Sequence, residues 1–178
     1  MVIKFLEMNV TISKTDAMTR IVVIDILLLA AICLVPTLSH LFAVPLFKAN
    51  PMLLALLASM LLVSDRRNAF VLALALPLVS MVVSGMPTPM KALCMMAELS
   101  SVVAVFSLMS LRRAQINGWT SFGSILLAIV AGKGVYYLLK ALLISPAVLI
   151  GTNIWLQLGT TLLFAALFAI ATRRTKRD

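Results

Sequence analysis

Residues Ala128–Leu139 read AIVAGKGVYYLL, and they lie inside an apolar run that extends from Ile125 to Ile144. A run of about 20 apolar residues is what a helix needs to cross the hydrocarbon core of a bilayer. Lys133 stands near its centre. A lysine at mid-membrane costs an inserted helix about 2.5–3.5 kcal/mol, so the reading of the chain turns on what offsets that cost.

The surrounding composition makes lipid the solvent. The chain has 178 residues, of which 62% are hydrophobic and 12% charged, and its mean hydropathy is +1.12. A soluble domain of this length is closer to half apolar. Six apolar segments can be delimited, at about 21–47, 51–63, 68–84, 89–111, 121–144 and 146–172, joined by short connectors such as KANP, SDRRN, GMPTP and RRAQINGW. Spans so closely connected predict an all-α bundle of six transmembrane helices, since helices satisfy their own backbone groups in lipid. The domain plan is a lead-in over 1–20, the bundle over 21–172 and a basic tail over 173–178. The second segment is short for a span, so either it begins in the preceding loop or it starts below the bilayer surface under protein cover. The stretch AVPLFKANP is expected to be irregular, because Pro45 and Pro51 interrupt helical bonding. The first twenty residues lack a continuous apolar core, so no cleavable signal is expected.

Charge placement sets the orientation. Of the 15 basic residues, 11 fall in one alternating set of connectors and ends: Lys4, Lys14, Arg20, Arg66, Arg67, Arg112, Arg113, Arg173, Arg174, Lys176 and Arg177. By the positive-inside rule both termini are expected in the cytoplasm of a cell (inner) membrane. The net charge of +9 is then chiefly an orientation signal, with anionic lipid headgroups as partners for the tail TRRTKRD. No aromatic and basic residues interleave as a single-strand binder requires, and nucleic acid is not expected as a partner. Cys33 and Cys94 read as buried free thiols. A single histidine excludes a multi-histidine metal site.

Lys133 lies about 12 residues from the inner end of its helix, ~18 Å deep, and Glu98 about nine residues from the outer end of the preceding one, ~13 Å. These helices are antiparallel neighbours, so a Glu98–Lys133 pair is geometrically allowed. Two readings follow: a structural salt bridge, or two walls of a polar cavity on a substrate path. Other polar groups fall at similar outer depth. They are His40, Tyr136, Tyr137, Asn153, Trp155 and Gln157, beneath connectors rich in Pro and Gly; taken together they resemble a ligand pocket open to the outside. His40 and Trp155 taken singly read as interfacial residues. Asp25, a turn or so past Arg20, is expected to pair with inner arginines and has no assigned role. Ala69-x-x-x-Ala73 and Ala165-x-x-x-Ala169 carry the small-residue spacing of close helix contact, either internal or with another subunit. No phosphate-binding glycine loop, Ser–His pair or H-E-x-x-H motif is present, so neither catalysis nor a built-in ATPase is expected, and no cofactor.

Several stretches, in order over about residues 20–172, resemble the substrate-binding S component of energy-coupling factor vitamin transporters. ANPMLLALLASMLLVSDRRNAF is similar to that family's second helix and inner turn, and SGMPTPMKALCMMAELSS to its outer loop and following Glu-Leu helix. AIVAGKGVYY resembles an Ala-Gly-Arg-x-Val segment in which Lys133 stands for the arginine, and GTNIWLQLG a final-helix start with glutamine. The similarity implies Glu98, Lys133 and Gln157 as ligand contacts. It implies the loop containing Gly85, Met86 and Pro87 as a lid, and Ala30, Ala31, Ala69 and Ala73 as partner-docking positions. It also implies a small vitamin-like solute, of the class of cobalamin, pantothenate or queuosine precursors, and as partners a coupling transmembrane subunit with two cytoplasmic ATPases. A six-span scaffold of the cell-shape machinery type, needing no pocket, and an ion-coupled carrier acting alone remain open beside it.

Overall fold

The computed structural model describes residues 2–42, 50–63, 65–111, 118–143 and 154–174, with side-chain surroundings for 18–42, 50–63, 65–110, 119–143, 155 and 157–172. Six helices follow one another: α1 (Val2–Leu41), α2 (Pro51–Leu62), α3 (Arg66–Ser84), α4 (Pro89–Leu111), α5 (Gly118–Leu143) and α6 (Ile154–Arg174). There is no strand among the described residues. The all-helical expectation therefore holds. Four stretches are long and apolar enough to cross a membrane: Met18–Leu41, Arg66–Ser84, Pro89–Ser110 and Trp119–Leu143. The apolar helical stretches Pro51–Leu62 and Gln157–Thr172 are shorter. This is the build of a membrane protein.

Local sequence explains most boundaries. Pro51 occupies the first turn of α2, where its missing N–H is no loss, and Asn50 precedes it in a left-handed conformation, φ 54° and ψ 59°. The Asp65 carboxylate accepts from the Arg67 N–H at 2.9 Å and so caps α3. Gly85 ends α3 at φ 68°, its N–H donating to the Met81 carbonyl at 3.0 Å; glycine supplies that left-handed position without steric cost. At the other limit, α1 runs unbroken for 40 residues, through the lead-in and into the first apolar segment. Nothing in residues 2–20 is Gly or Pro, so no breaker stops the helix before the apolar stretch begins. The irregular stretch expected before Asn50 and the start of the sixth segment at 146 fall on 43–49 and 144–153, outside the described residues.

Helices α2 to α6 close into a ring. α4 packs most extensively on α5, α3 lies on the far flank of α4, and α6 on the far flank of α5; α2 touches both α3 and α6 and completes the circuit. Leu53 and Leu56 of α2, Leu76 of α3, Leu99, Val102 and Val103 of α4, and Ile125 and Ile129 of α5 fill the centre and are fully buried. Phe106 and Phe168 meet edge to face at 5.3 Å and 80°, and tie α4 to α6. The short α2 places Met52, Leu53, Ala55, Leu56 and Leu57 in the packing, while Leu54 and Leu62 stay exposed. α1 packs outside the ring against α2 and α3, and Ile32 is its buried residue. Its Val22, Val23, Ile26, Leu27, Leu34 and Leu38 are exposed, a surface fit for hydrocarbon and not for water.

One polar knot fixes α1 to the ring. Asn68, in the first turn of α3, donates to the Asp25 carboxylate at 3.1 Å. Ser59, in the last turn of α2, donates to the same oxygen at 3.5 Å and sits 3.5 Å from the Asn68 amide. This corrects the expectation that Asp25 pairs with arginine: three helices share its charge through an amide and a hydroxyl. Loss of the amide in Asn68→Ala is expected to lower stability by about 0.5–1.5 kcal/mol, the range for interhelical polar bonds in lipid. Ser110→Ala, which removes the exposed 3.4 Å contact with Arg66, is expected to leave stability within about 0.5 kcal/mol of the parent. Reversible unfolding in mixed micelles measures both.

Candidate functional site

The ring's upper end, where α2 and α4 begin and α3 and α5 finish, gathers the polar side chains that the apolar sequence made conspicuous. The Lys133 ammonium lies 2.7 Å from the Glu98 carboxylate, with side-chain exposures of 24% and 4%. That length is typical of a charge-assisted hydrogen bond. Glu98 is therefore sealed in the packing, while its partner retains an open side. The Asn50 side-chain amide reaches the same Glu98 oxygen at 3.4 Å. The Lys133 nitrogen also stands 5.6 Å from the centre of the Tyr136 ring, within range of a cation–π attraction. Tyr136 and Tyr137 meet edge to face at 5.5 Å. The Tyr137 hydroxyl donates to the Gln157 side-chain oxygen at 2.5 Å. Elements α2, α4, α5 and α6 each contribute.

The closeness of α4 and α5 has a specific cause. A Cβ at Gly132 would lie 2.6 Å from a Val102 methyl and 2.9 Å from the Glu98 carbonyl oxygen, so only glycine lets α5 touch α4 at this level. The contact brings the α5 backbone beside Glu98 and makes the short Lys133–Glu98 distance possible. A Cβ at Gly134 meets nothing within 4 Å.

Of the residues the sequence nominated, Lys133, Glu98, Tyr136, Tyr137 and Gln157 come together. Others do not join them. His40 is exposed at the end of α1, and Trp155 is 80% exposed on α6. Gly85, Met86 and Pro87 form a turn folded back on α3, with a cis Met86–Pro87 bond. Buried Ser80 donates to the Met86 carbonyl at 2.9 Å, and Ser84 to the same carbonyl at 3.1 Å. The described contacts of this turn run to α3 and not to Glu98 or Lys133. Asn153 lies outside the described residues. Ala69 and Ala73 are buried, at 2% and 0% exposure, so their methyl groups serve packing within the ring and are closed to another subunit; Ala30 and Ala31 are exposed. Among the described residues no three His, Cys, Asp or Glu side chains cluster closely enough to hold a metal ion.

Asn50 and Gly132 were missed. Asn50 carried a usable signal, since an Asn before a Pro at a helix start marks a cap; its amide makes no cap bond in α2 and is delivered to Glu98. Gly132 carried none beyond being a glycine within an apolar helix.

No protein-family model matches the chain, and neither a curated protein nor a solved structure shows significant similarity to it.

Two variant pairs probe this geometry. Lys133→Ala leaves Glu98 as an uncompensated buried charge and is expected to cost about 3–5 kcal/mol, whereas Lys133→Met combined with Glu98→Leu recovers most of that loss. Gly132→Ala forces backbone apart and is expected to cost about 1–3 kcal/mol, while Gly134→Ala is neutral or slightly stabilising in the same unfolding assay.

Proposed function

We propose that the chain is the membrane-embedded substrate-binding component of an energy-coupling factor type importer. In this reading six helices span the cell membrane with both termini in the cytoplasm, and the upper end of the ring faces outward. A small, water-soluble, vitamin-like solute enters there and meets Lys133, Tyr136 and the Tyr137–Gln157 pair. A partner transmembrane subunit and two cytoplasmic ATPases supply the energy, and this chain supplies binding without catalysis.

The observation that carries the reading is the partial opening of Lys133. Ion pairs that serve stability alone gain little over apolar packing of the same volume, and ionisable side chains within a membrane tend to line solute or ion paths. Here the acid is enclosed, but the base keeps 24% of its side chain accessible. It stands among two tyrosines and a glutamine that can orient a polar solute. Exposed Ala30 and Ala31 on the loosely covered α1 are the docking positions that remain for a coupling subunit.

The near-complete enclosure of Glu98 favours a second reading, a six-span scaffold in which the pair is a latch between α4 and α5. Solute binding separates the two. The purified chain is expected to bind one vitamin-like solute saturably in calorimetry, and Lys133→Gln to weaken it by at least about tenfold, or about 1.4 kcal/mol. Uptake into vesicles is expected to require ATP and the partner subunits. Absence of any solute that binds or copurifies would leave the scaffold reading.

A further inference from the structure

Asp25 is the acid to which the sequence gave no role, and its surroundings differ from those of Glu98. It lies within Met18–Leu41, a stretch long and apolar enough to cross a membrane, about seven residues or ~10 Å from the lower end of that stretch. A carboxylate at such depth calls for a cation or for polar partners that share its charge. Glu98 has Lys133. Asp25 makes no ion pair among the described residues. Arg20 on its own helix and Arg67 on α3 form none with it, Arg66 turns to Ser110, and α2 carries no charged residue.

Asp25 Oδ1, Ser59 Oγ and the Asn68 amide instead form a small triangle. Its sides are 3.1 Å from Asp25 to Asn68, 3.5 Å from Asp25 to Ser59 and 3.5 Å from Asn68 to Ser59. Asn68 presents Nδ2 to this triangle, and a half-turn of its amide puts Oδ1 in the same place. Three oxygens from three helices then face one point. Oxygens at about 2.3–2.6 Å from a calcium-sized ion in octahedral array are ~3.3–3.7 Å apart, whereas magnesium, at about 2.0–2.1 Å, needs ~2.9 Å. The two longer sides match the first spacing, and none is as short as the second. Sodium has nearly the radius of calcium; potassium is larger and needs a wider triangle. Charge decides between sodium and calcium. The triangle supplies one negative charge, which a monovalent ion cancels and a divalent ion overshoots. Ser59 is held at 1% exposure, while Asp25 and Asn68 are half-buried and leave a side on which water completes the shell.

We propose that Asp25, Ser59 and Asn68 form a sodium site that fastens α1 to α2 and α3. The ion replaces the Asn68–Asp25 hydrogen bond and balances the carboxylate. The site is separate from the one at the upper end and does not depend on the carrier reading. Ile32 is the buried apolar residue of α1 among those described, so attachment of this helix leans on the polar cluster, and binding of the ion registers as stability.

The full chain in mixed micelles is unfolded reversibly while NaCl replaces choline chloride at a constant ionic strength of about 200 mM. The unfolding midpoint is expected to rise saturably, with half-saturation at about 1–10 mM sodium, as suits one carboxylate and two neutral oxygens. KCl in place of NaCl is expected to give no such rise. Asp25→Asn is expected to unfold cooperatively in KCl and to lose the sodium response. Ser59→Ala, which leaves the carboxylate in place, is expected to raise half-saturation about tenfold. Asp65→Asn, which alters an exposed acid of the same end, is expected to keep the parent response. Equal responses to sodium and potassium, a sodium response that survives intact in both Asp25→Asn and Ser59→Ala, or no response up to about 200 mM sodium, overturns the site. A response to CaCl2 without one to NaCl overturns the assignment to sodium.

Discussion

A carboxylate that is almost wholly enclosed by apolar side chains holds its charge only beside a cation, and Lys133 is the cation that Glu98 has. This requirement organises the upper half of the ring. It fixes the depth at which α5 meets α4, and it demands glycine at 132, because the contact tolerates no side chain. It also draws the start of α2 inward through Asn50. The pair in turn explains why so greasy a sequence carries a lysine in mid-helix: the insertion cost of one residue is offset by the charge of another on the neighbouring helix.

A second polar centre acts at the opposite end. Asp25, Ser59 and Asn68 bind α1, α2 and α3 to one another with no basic partner among the described residues. The two centres differ in kind. The lower one uses neutral donors and joins helices that otherwise meet through aliphatic contact. The upper one is a charge pair with an open flank and aromatic neighbours. A ring held at both ends by polar bonds, with Leu, Val and Ile between, has its register set where hydrophobic packing alone would allow sliding. α1 stands apart, outside the closed circuit and covered by little of the chain.

Much of this was legible in the residues. Apolar run lengths and the connectors between them located all six helices, and Pro89 and Leu111 bound α4 where expected. The antiparallel order of the fourth and fifth runs, with counted depths, was enough to bring Glu98 and Lys133 together. Other features could not be read in that way. Burial of Ala69 and Ala73 depends on how the ring closes, which small-residue spacing does not specify. The attachment of the Gly85–Met86–Pro87 turn to Ser80 and Ser84 depends on backbone direction after α3. The partner of Asp25 was mistaken because arginines are near it in sequence, whereas Ser59 and Asn68 are near it in space. Gly132 shows the limit most plainly, since a missing side chain announces nothing about what it lets approach.

The charge pair also bears on how the chain enters its membrane. Helices α4 and α5 each carry one ionisable group at depth, and each alone would meet the bilayer with that group unmatched, at about 2.5–3.5 kcal/mol apiece. Joined, they present a neutral unit. The segment of chain that links them, residues 112–117, is short, so the second helix arrives soon after the first leaves the ribosome. Entering as a pair, the two helices spare the bilayer two separately unmatched charges.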